Sequence, residues 1–256
     1  MIEAKNLCFA YSRHGKIVLN DLSFSVSNGE IVALLGVNGA GKSTAISLLA
    51  GLARPRSGEI FIDGVSLKSM RLTEKAKRIG YVPQKLELPP LSVFDTLVLG
   101  RMPNYWLAST SADQDKAWQM LKDLGLTELA DKRSDQISGG ERQLLAIGTA
   151  LINEPSVLLL DEPTSNLDPK HCLEVLSLIR NAAKKRDCAV LLSLHDLNEA
   201  YRFADRLLFM KGGALHSDVK KEDLAPSLIY EVFGVPSSIH EGPEGKYIVI
   251  QEQKGD

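Results

Sequence analysis

Gly36-Val37-Asn38-Gly39-Ala40-Gly41-Lys42-Ser43-Thr44 brings together glycines, a lysine and two hydroxyls in the spacing that suits phosphate. Gly36, Gly39 and Gly41 let successive backbone N–H groups crowd round an anion, and the helix that follows points its positive end at the same place. The apolar run Ile31–Leu35 precedes the loop and a helical pattern at 45–49 follows it, so the strand, loop and helix order of a phosphate-binding P-loop is present. Lys42 is expected on the β- and γ-phosphates, and Ser43 on Mg²⁺. Further along, Asp161-Glu162 closes the apolar run at 157–160. Phosphoryl transfer asks a protein mainly for positioning and charge stabilisation. Asp161 is therefore the expected Mg²⁺ partner, bonded through water. Glu162, on the alternate side of an extended chain, would face the γ-phosphate and deprotonate the attacking water. These residues predict binding and hydrolysis of a nucleoside triphosphate.

Such groups need a rigid frame. Residues 2–35 alternate short β-rich runs with turn signals at Arg13-His14-Gly15-Lys16 and Ser27-Asn28-Gly29-Glu30, which predicts an antiparallel sheet leading into the P-loop strand. Residues 58–64 read as another strand closed by a turn. From about Leu91 to Ala150 the period turns helical, through Val93, Leu97 and Val98, then Trp118, Leu121 and Leu124, then residues 144–147. From Val157 strand and helix alternate again, and residues 157–160 and 189–192 are continuous apolar runs of the buried parallel type. The expected fold is α/β: a P-loop NTPase core with a mainly parallel sheet, an N-terminal antiparallel β subdomain, and an inserted α-helical subdomain at about 88–152. Residues 1–235 are expected to form a single domain. The tail at 236–256 carries a hairpin signal at Gly242-Pro243-Glu244-Gly245, and Lys254-Gly255-Asp256 is expected to fray.

One further turn narrows the class. Ser138-Gly139-Gly140-Glu141 reads locally as a capping box, Ser138 at the cap and Glu141 three residues on. A capping box needs no paired glycines, whereas close backbone approach to a second molecule's phosphate does. With the Gly-Lys-Ser loop and the Asp-Glu strand end, this turn resembles the signature of the ATP-binding subunits of ABC transporters, over roughly residues 2–235. The resemblance implies ATP with Mg²⁺ as the ligands. It also implies that Ser138, Gly139 and Gly140 reach ATP held by the opposite subunit, so that a homodimer completes the sites. In the same way it implies that His195, in Leu194-His195-Asp196, is a switch histidine contacting the γ-phosphate, and that Gln84 is a Q-loop residue joining the Mg²⁺ site to the helical insertion. Asp168, in Ser165-Asn166-Leu167-Asp168, would belong to the D-loop that crosses the dimer interface, and Tyr11 would stack on adenine. Two departures stand out. Glu141-Arg142 sits where many relatives begin with Gln, which phosphate contact through Ser138 and the next amides should tolerate. Thr149 stands where relatives usually place Arg, which should weaken a structural ion pair.

Residues 91–103, 193–200 and 230–235 are similar to importer subunits serving iron–siderophore, haem and vitamin B12 uptake. In that family two ATPases join two integral-membrane permease subunits, and an extracytoplasmic binding protein delivers the cargo. Molybdate-type importers use similar ATPases, and an exporter half is a further alternative. A soluble ABC ATPase acting on nucleic acid or ribosomes is the competing class. Those proteins usually carry a long coiled coil or two ATPase units, and neither shows here. Net charge is −2 over 256 residues, with 44% apolar and 24% charged, so no basic field recruits nucleic acid. No run approaches a membrane span and no signal peptide opens the chain, so a chain that stays inside the cell is expected and a transport role requires a separate membrane partner. The resemblance then implies a peripheral subunit at the cytoplasmic face of the cell membrane, held by its permease. Cys8, Cys172 and Cys188 are expected to be reduced and mostly buried. Leu88, Arg101 and the pair Tyr105-Trp106 are expected to line or flank the permease groove, coupled to the phosphates through Gln84.

Overall fold

Two sheets share the fold's core in the computed structural model, which describes residues 1–104, 109–242 and 245–251. β1 (Ile2–Phe9), β2 (Leu19–Val26), β4 (Ser57–Ile62) and β5 (Val65–Ser66) form an antiparallel sheet in the order β2-β1-β4-β5. β3 (Ile31–Leu35), β6 (Ile79–Val82), β7 (Val157–Asp161), β8 (Ala189–Ser193), β9 (Arg206–Lys211) and β10 (Ala214–Lys220) form the other, in the order β10-β9-β3-β8-β7-β6. All its neighbours are parallel except β9 and β10. Every residue of β3, β7 and β8 is buried, which is why their sequences are unbroken apolar runs rather than alternating ones.

The pleat then sorts those runs onto two faces. Val32, Leu34, Val157, Leu159, Ala189 and Leu191 pack with Ile46 and Leu49 of α1 (Lys42–Leu49) and with Ile2, Leu22 and Val26 of the antiparallel sheet. Ile31, Ala33, Leu35, Leu158, Leu160, Val190 and Leu192 pack the other way. They meet α6 (Pro169–Arg186), α7 (Leu197–Phe203), α8 (Pro226–Phe233) and the helices between β6 and β7: α3 (Val93–Gly100), α4 (Ser111–Leu124) and α5 (Gly139–Leu151). A short helix, α2 (Leu72–Arg78), leads into β6. β11 (Ser237–Gly242) and β12 (Gly245–Ile250) pair as an antiparallel hairpin. Pro243 and Glu244 of the turn signal, Lys254, Gly255 and Asp256, and the Tyr105-Trp106 pair lie outside the described residues. Of the cysteines only Cys188 is buried; Cys8, on β1, and Cys172, in the first turn of α6, are half-buried rather than buried.

Arg101, expected to line or flank a permease groove, has its guanidinium engaged within the helical insertion. Its Nε pairs with Asp113 Oδ1 at 3.0 Å, and its Nη1 donates to Asn153 Oδ1 at 3.0 Å and to the Ile152 carbonyl at 3.3 Å. The pair's side chains are 12% and 7% exposed, so the guanidinium ties α3 to the start of α4 and the end of α5. Asp113 also closes the Thr110 capping box of α4, and hydrogen bonds from the Thr110 backbone and hydroxyl, then Arg101, hold its carboxyl below the usual aspartate range. Arg101→Ala is expected to cost ~3–5 kcal/mol, as removing one partner of a buried pair does. Because the folded pKa of Asp113 is depressed, its contribution is present above the unfolded value of about 3.9 and is lost as pH falls through the folded value. Urea midpoints at neutral pH should therefore separate wild type from Arg101→Ala, and the gap should shrink on acidification below the aspartate range.

Candidate functional site

The loop between β3 and α1 is shaped by its glycines. Gly41, the N-cap of α1, has φ +102°, and a Cβ there would stand 2.7 Å from Leu19 Cδ2. The left-handed conformation there demands glycine. No side chain caps α1, so the N–H groups of its first turn face the cleft. Lys42 is 5% exposed, and its Nζ folds back to the Gly36 carbonyl at 2.8 Å and the Val37 carbonyl at 3.4 Å. Burial pushes its pKa down, while Glu162 and Asp161 pull it up. A lysine in this setting is a buried cation without a full counter-charge, which an incoming polyphosphate would supply.

A cleft of about 510 Å³ opens over this loop. Tyr11, Val18, Asn38, Gly39, Ala40, Gly41, Lys42, Ser43, Thr44, Gln84, Glu162 and His195 line it. Tyr11 is 76% exposed, with its ring edge-to-face on Phe9 at 5.0 Å and its hydroxyl 2.8 Å from Thr44 Oγ1. That bond fixes an aromatic ring at the mouth of the cleft, above the phosphate loop.

Of the two carboxylates at the end of β7, Glu162 lines the cleft and Asp161 does not. Asp161 is 4% exposed and its Oδ1 accepts from Ser193 Oγ at 2.6 Å. The same Ser193 oxygen accepts the Glu162 N–H at 2.9 Å. Ser193 therefore ties the ends of the paired strands β7 and β8, and no sequence signal singled it out beyond a polar residue ending an apolar run. The extended backbone expected at Glu162 is absent. Its φ is +52°, the left-handed region, so the strand stops at Asp161 and a turn swings the glutamate into the cleft. There Glu162 Oε2 accepts from Gln84 Nε2 at 2.6 Å, and Oε1 pairs with His195 Nε2 at 2.6 Å. Three elements, the β6 exit, the β7 end and the β8 exit, thus converge on one carboxylate.

Ser138, Gly139, Gly140 and Asp168 are not among the cleft's lining residues. They assemble at a second place. Ser138 caps α5 by accepting from Glu141 N at 3.3 Å, and Glu141 Oε2 accepts from Ser138 N at 2.7 Å. Asp168 caps α6 through the N–H groups of Lys170 and His171, and its other oxygen lies 2.5 Å from His171 Nδ1. The His171 ring lies against Gly140, where any Cβ would collide with it. His171, which sequence reasoning passed over, thus joins the two motifs that line no part of this chain's own cleft.

A third feature is a groove of about 400 Å³, lined among others by Leu86, Leu88, Leu99, Gly100, Ala146, Thr149 and Ala150. Pro83, which also lines it, precedes Gln84, so groove and cleft share one segment. Thr149, at the position of the expected arginine, donates its hydroxyl to the Leu145 carbonyl of its own helix at 2.8 Å.

Residues 19–165 match the family model described as ABC transporter. An ABC transporter ATP-binding protein of Methanocaldococcus jannaschii, itself uncharacterized, is 39% identical over 94% of both chains. The phosphonates import ATP-binding protein of Nitratidesulfovibrio vulgaris is 41% identical over 80% of this chain and 82% of its own. The hemin import ATP-binding protein of Bordetella bronchiseptica is 34% identical over 97% of this chain and 98% of its own. Among solved structures, a metal-chelate type ABC transporter in an inward-facing conformation matches with TM-score 0.83 and 30% identity over 98% of each chain. A dimeric ATP-binding cassette in a post-hydrolysis state bound to ADP and Pi matches with TM-score 0.77 and 29% identity, over 88% of this chain and all of its own.

Proposed function

Since the chain belongs to the ABC transporter family, as an ATP-hydrolysing importer subunit, we propose that it hydrolyses ATP at sites completed by a second copy and powers uptake of an iron(III)–siderophore, haem or similar metal complex. The observation that carries the composite site is the division described above. Lys42, Glu162, Gln84 and His195 share one cleft, while the Ser138 turn lies outside it. In this reading Tyr11 stacks on adenine, and the loop amides with Lys42 hold the phosphates. Ser43, Asp161 and the Gln84 amide oxygen would hold Mg²⁺, directly or through water. The donor set fits, being oxygens with one buried carboxylate anchored by Ser193. Mg²⁺ would neutralise phosphate charge there. Gln84 and His195 transfer from Glu162 to the nucleotide side of the cleft, and the released carboxylate takes a proton from the attacking water. The partner's Ser138-Gly139-Gly140 turn closes over the γ-phosphate.

The cargo rests on the hemin import relative and the metal-chelate type transporter, both similar over nearly the whole chain. The phosphonates import relative supports a second reading. Uptake assays comparing radiolabelled ferric chelates, haem and a phosphonate, in cells with and without this chain, decide between them. The metal-complex reading predicts that only the first two depend on it. An extracytoplasmic binding protein would deliver that cargo, and the subunit would sit at the cytoplasmic face of the membrane. Among the described residues no helix is long and apolar enough to cross a membrane.

The groove beside Gln84 is the proposed permease dock. Leu99, which lines it, is 39% exposed, and Leu72, one helical turn before the groove residue Ala76, is 82% exposed. Leu99→Glu should weaken docking by about 2 kcal/mol, roughly 30-fold, as loss of an apolar anchor does. Basal ATPase of the isolated subunit should be unchanged while permease-stimulated turnover and transport fall. Normal transport by that variant places the dock elsewhere.

A further inference from the structure

We propose that the C-terminal hairpin β11–β12 braces the helix that follows His195, and that Asn198 is the positioning residue through which it does so. This rests on the reading of His195 and Glu162 given above. α7 begins two residues after His195 and is seven residues long, too short to hold its own direction without tertiary support. Its N-terminus is fixed at two levels. Asp196 accepts from Asn198 N at 2.7 Å and from Glu199 N at 2.9 Å, which caps the first turn. The Asn198 side chain then spans to the hairpin. Its Nδ2 donates to the Ile248 carbonyl at 2.9 Å, and its Oδ1 accepts the Ile248 N–H at 2.6 Å. One amide satisfies both backbone groups of one residue, as a neighbouring strand would, so the contact fixes orientation as well as distance.

The hairpin is fastened at the same point by packing. A two-stranded hairpin is marginal alone. Ile248 is 4% exposed and belongs to the same apolar cluster as Leu194 and Ala200, the residues that flank the switch on either side. Tyr247, Val249 and Ile250 of the same strand are exposed, so β12 spends its one buried side chain and its paired backbone on α7. His195 is itself half-exposed, and its Nε2 meets Glu162 Oε1 at 2.6 Å. A ring so placed takes its position from the backbone that carries it, and that backbone runs straight into the braced turn.

The test is a double-mutant cycle on the purified full-length subunit, with ATP turnover and ATP binding measured separately. Asn198→Leu keeps the volume and removes both hydrogen bonds. kcat at saturating ATP is expected to fall ~10- to 100-fold, the scale on which a remote misplacement of about an ångström acts, while the Kd for ATP stays unchanged. In the His195→Ala background the same substitution should produce no further fall, because the brace acts through that ring. Asn198→Asp, which keeps the acceptor for Ile248 N–H and loses the donor, should give the same pattern more weakly, and it serves if Asn198→Leu does not fold. Wild-type kcat in either folded variant, or full additivity with His195→Ala, overturns the brace and leaves the site reading intact. Normal turnover in His195→Ala alone overturns both.

Discussion

Glu162→Gln lowers steady-state ATP turnover ~10²–10⁴-fold, the usual contribution of a general base, while ATP binding stays close to wild type. The geometry separates the two effects. Glu162 lines the cleft just beyond β7, whereas the groups proposed to hold phosphate, the loop amides and Lys42, lie between β3 and α1 and at the start of α1. Glutamine keeps the length of the side chain and one carbonyl oxygen, so a water can still be held but not deprotonated. It also faces the Gln84 amide with a mixed donor and acceptor pair instead of a carboxylate. Equilibrium binding of a fluorescent ATP analogue, set against phosphate release, separates the two. Turnover within a few-fold of wild type removes Glu162 from the role.

Lys42→Ala fails at the earlier step. Among the described residues, Nζ is the one lysine or arginine group lining the cleft, it is buried, and its partners there are the carbonyls of Gly36 and Val37. Truncating one member of a buried charge pair costs ~2–5 kcal/mol, so the Kd for ATP should rise about 30- to 5,000-fold. Turnover then falls with binding, in contrast to Glu162→Gln. Tight ATP binding by Lys42→Ala contradicts the assignment of the loop.

What could be read from the sequence was what chemistry writes contiguously. The glycine spacing at 36–44 and the Asp161-Glu162 strand end need no knowledge of distant residues, because loop and strand end each carry their function locally. The buried strands β7 and β8 were legible for the same reason, as unbroken apolar runs. Residues that act across the fold left weaker marks. Ser193 matters because β7 and β8 are neighbours, and His171 because α6 lies against the start of α5. Neither adjacency follows from periodicity. Arg101 near an apolar loop looked like an interface anchor, but its partners Asp113 and Asn153 are brought to it by helix packing. The left-handed backbone at Glu162 has no sequence signature, since nothing in a glutamate asks for positive φ.

The composite site is tested most directly by the solution mass of the Glu162→Gln subunit, measured with and without ATP and Mg²⁺. The account predicts a monomer without nucleotide, a dimer with it, and a monomer again under both conditions when Ser138→Arg is added, because that turn must reach the ATP held by the other copy. A Glu162→Gln subunit that binds ATP and stays monomeric at all concentrations, or a dimer indifferent to Ser138→Arg, would contradict it.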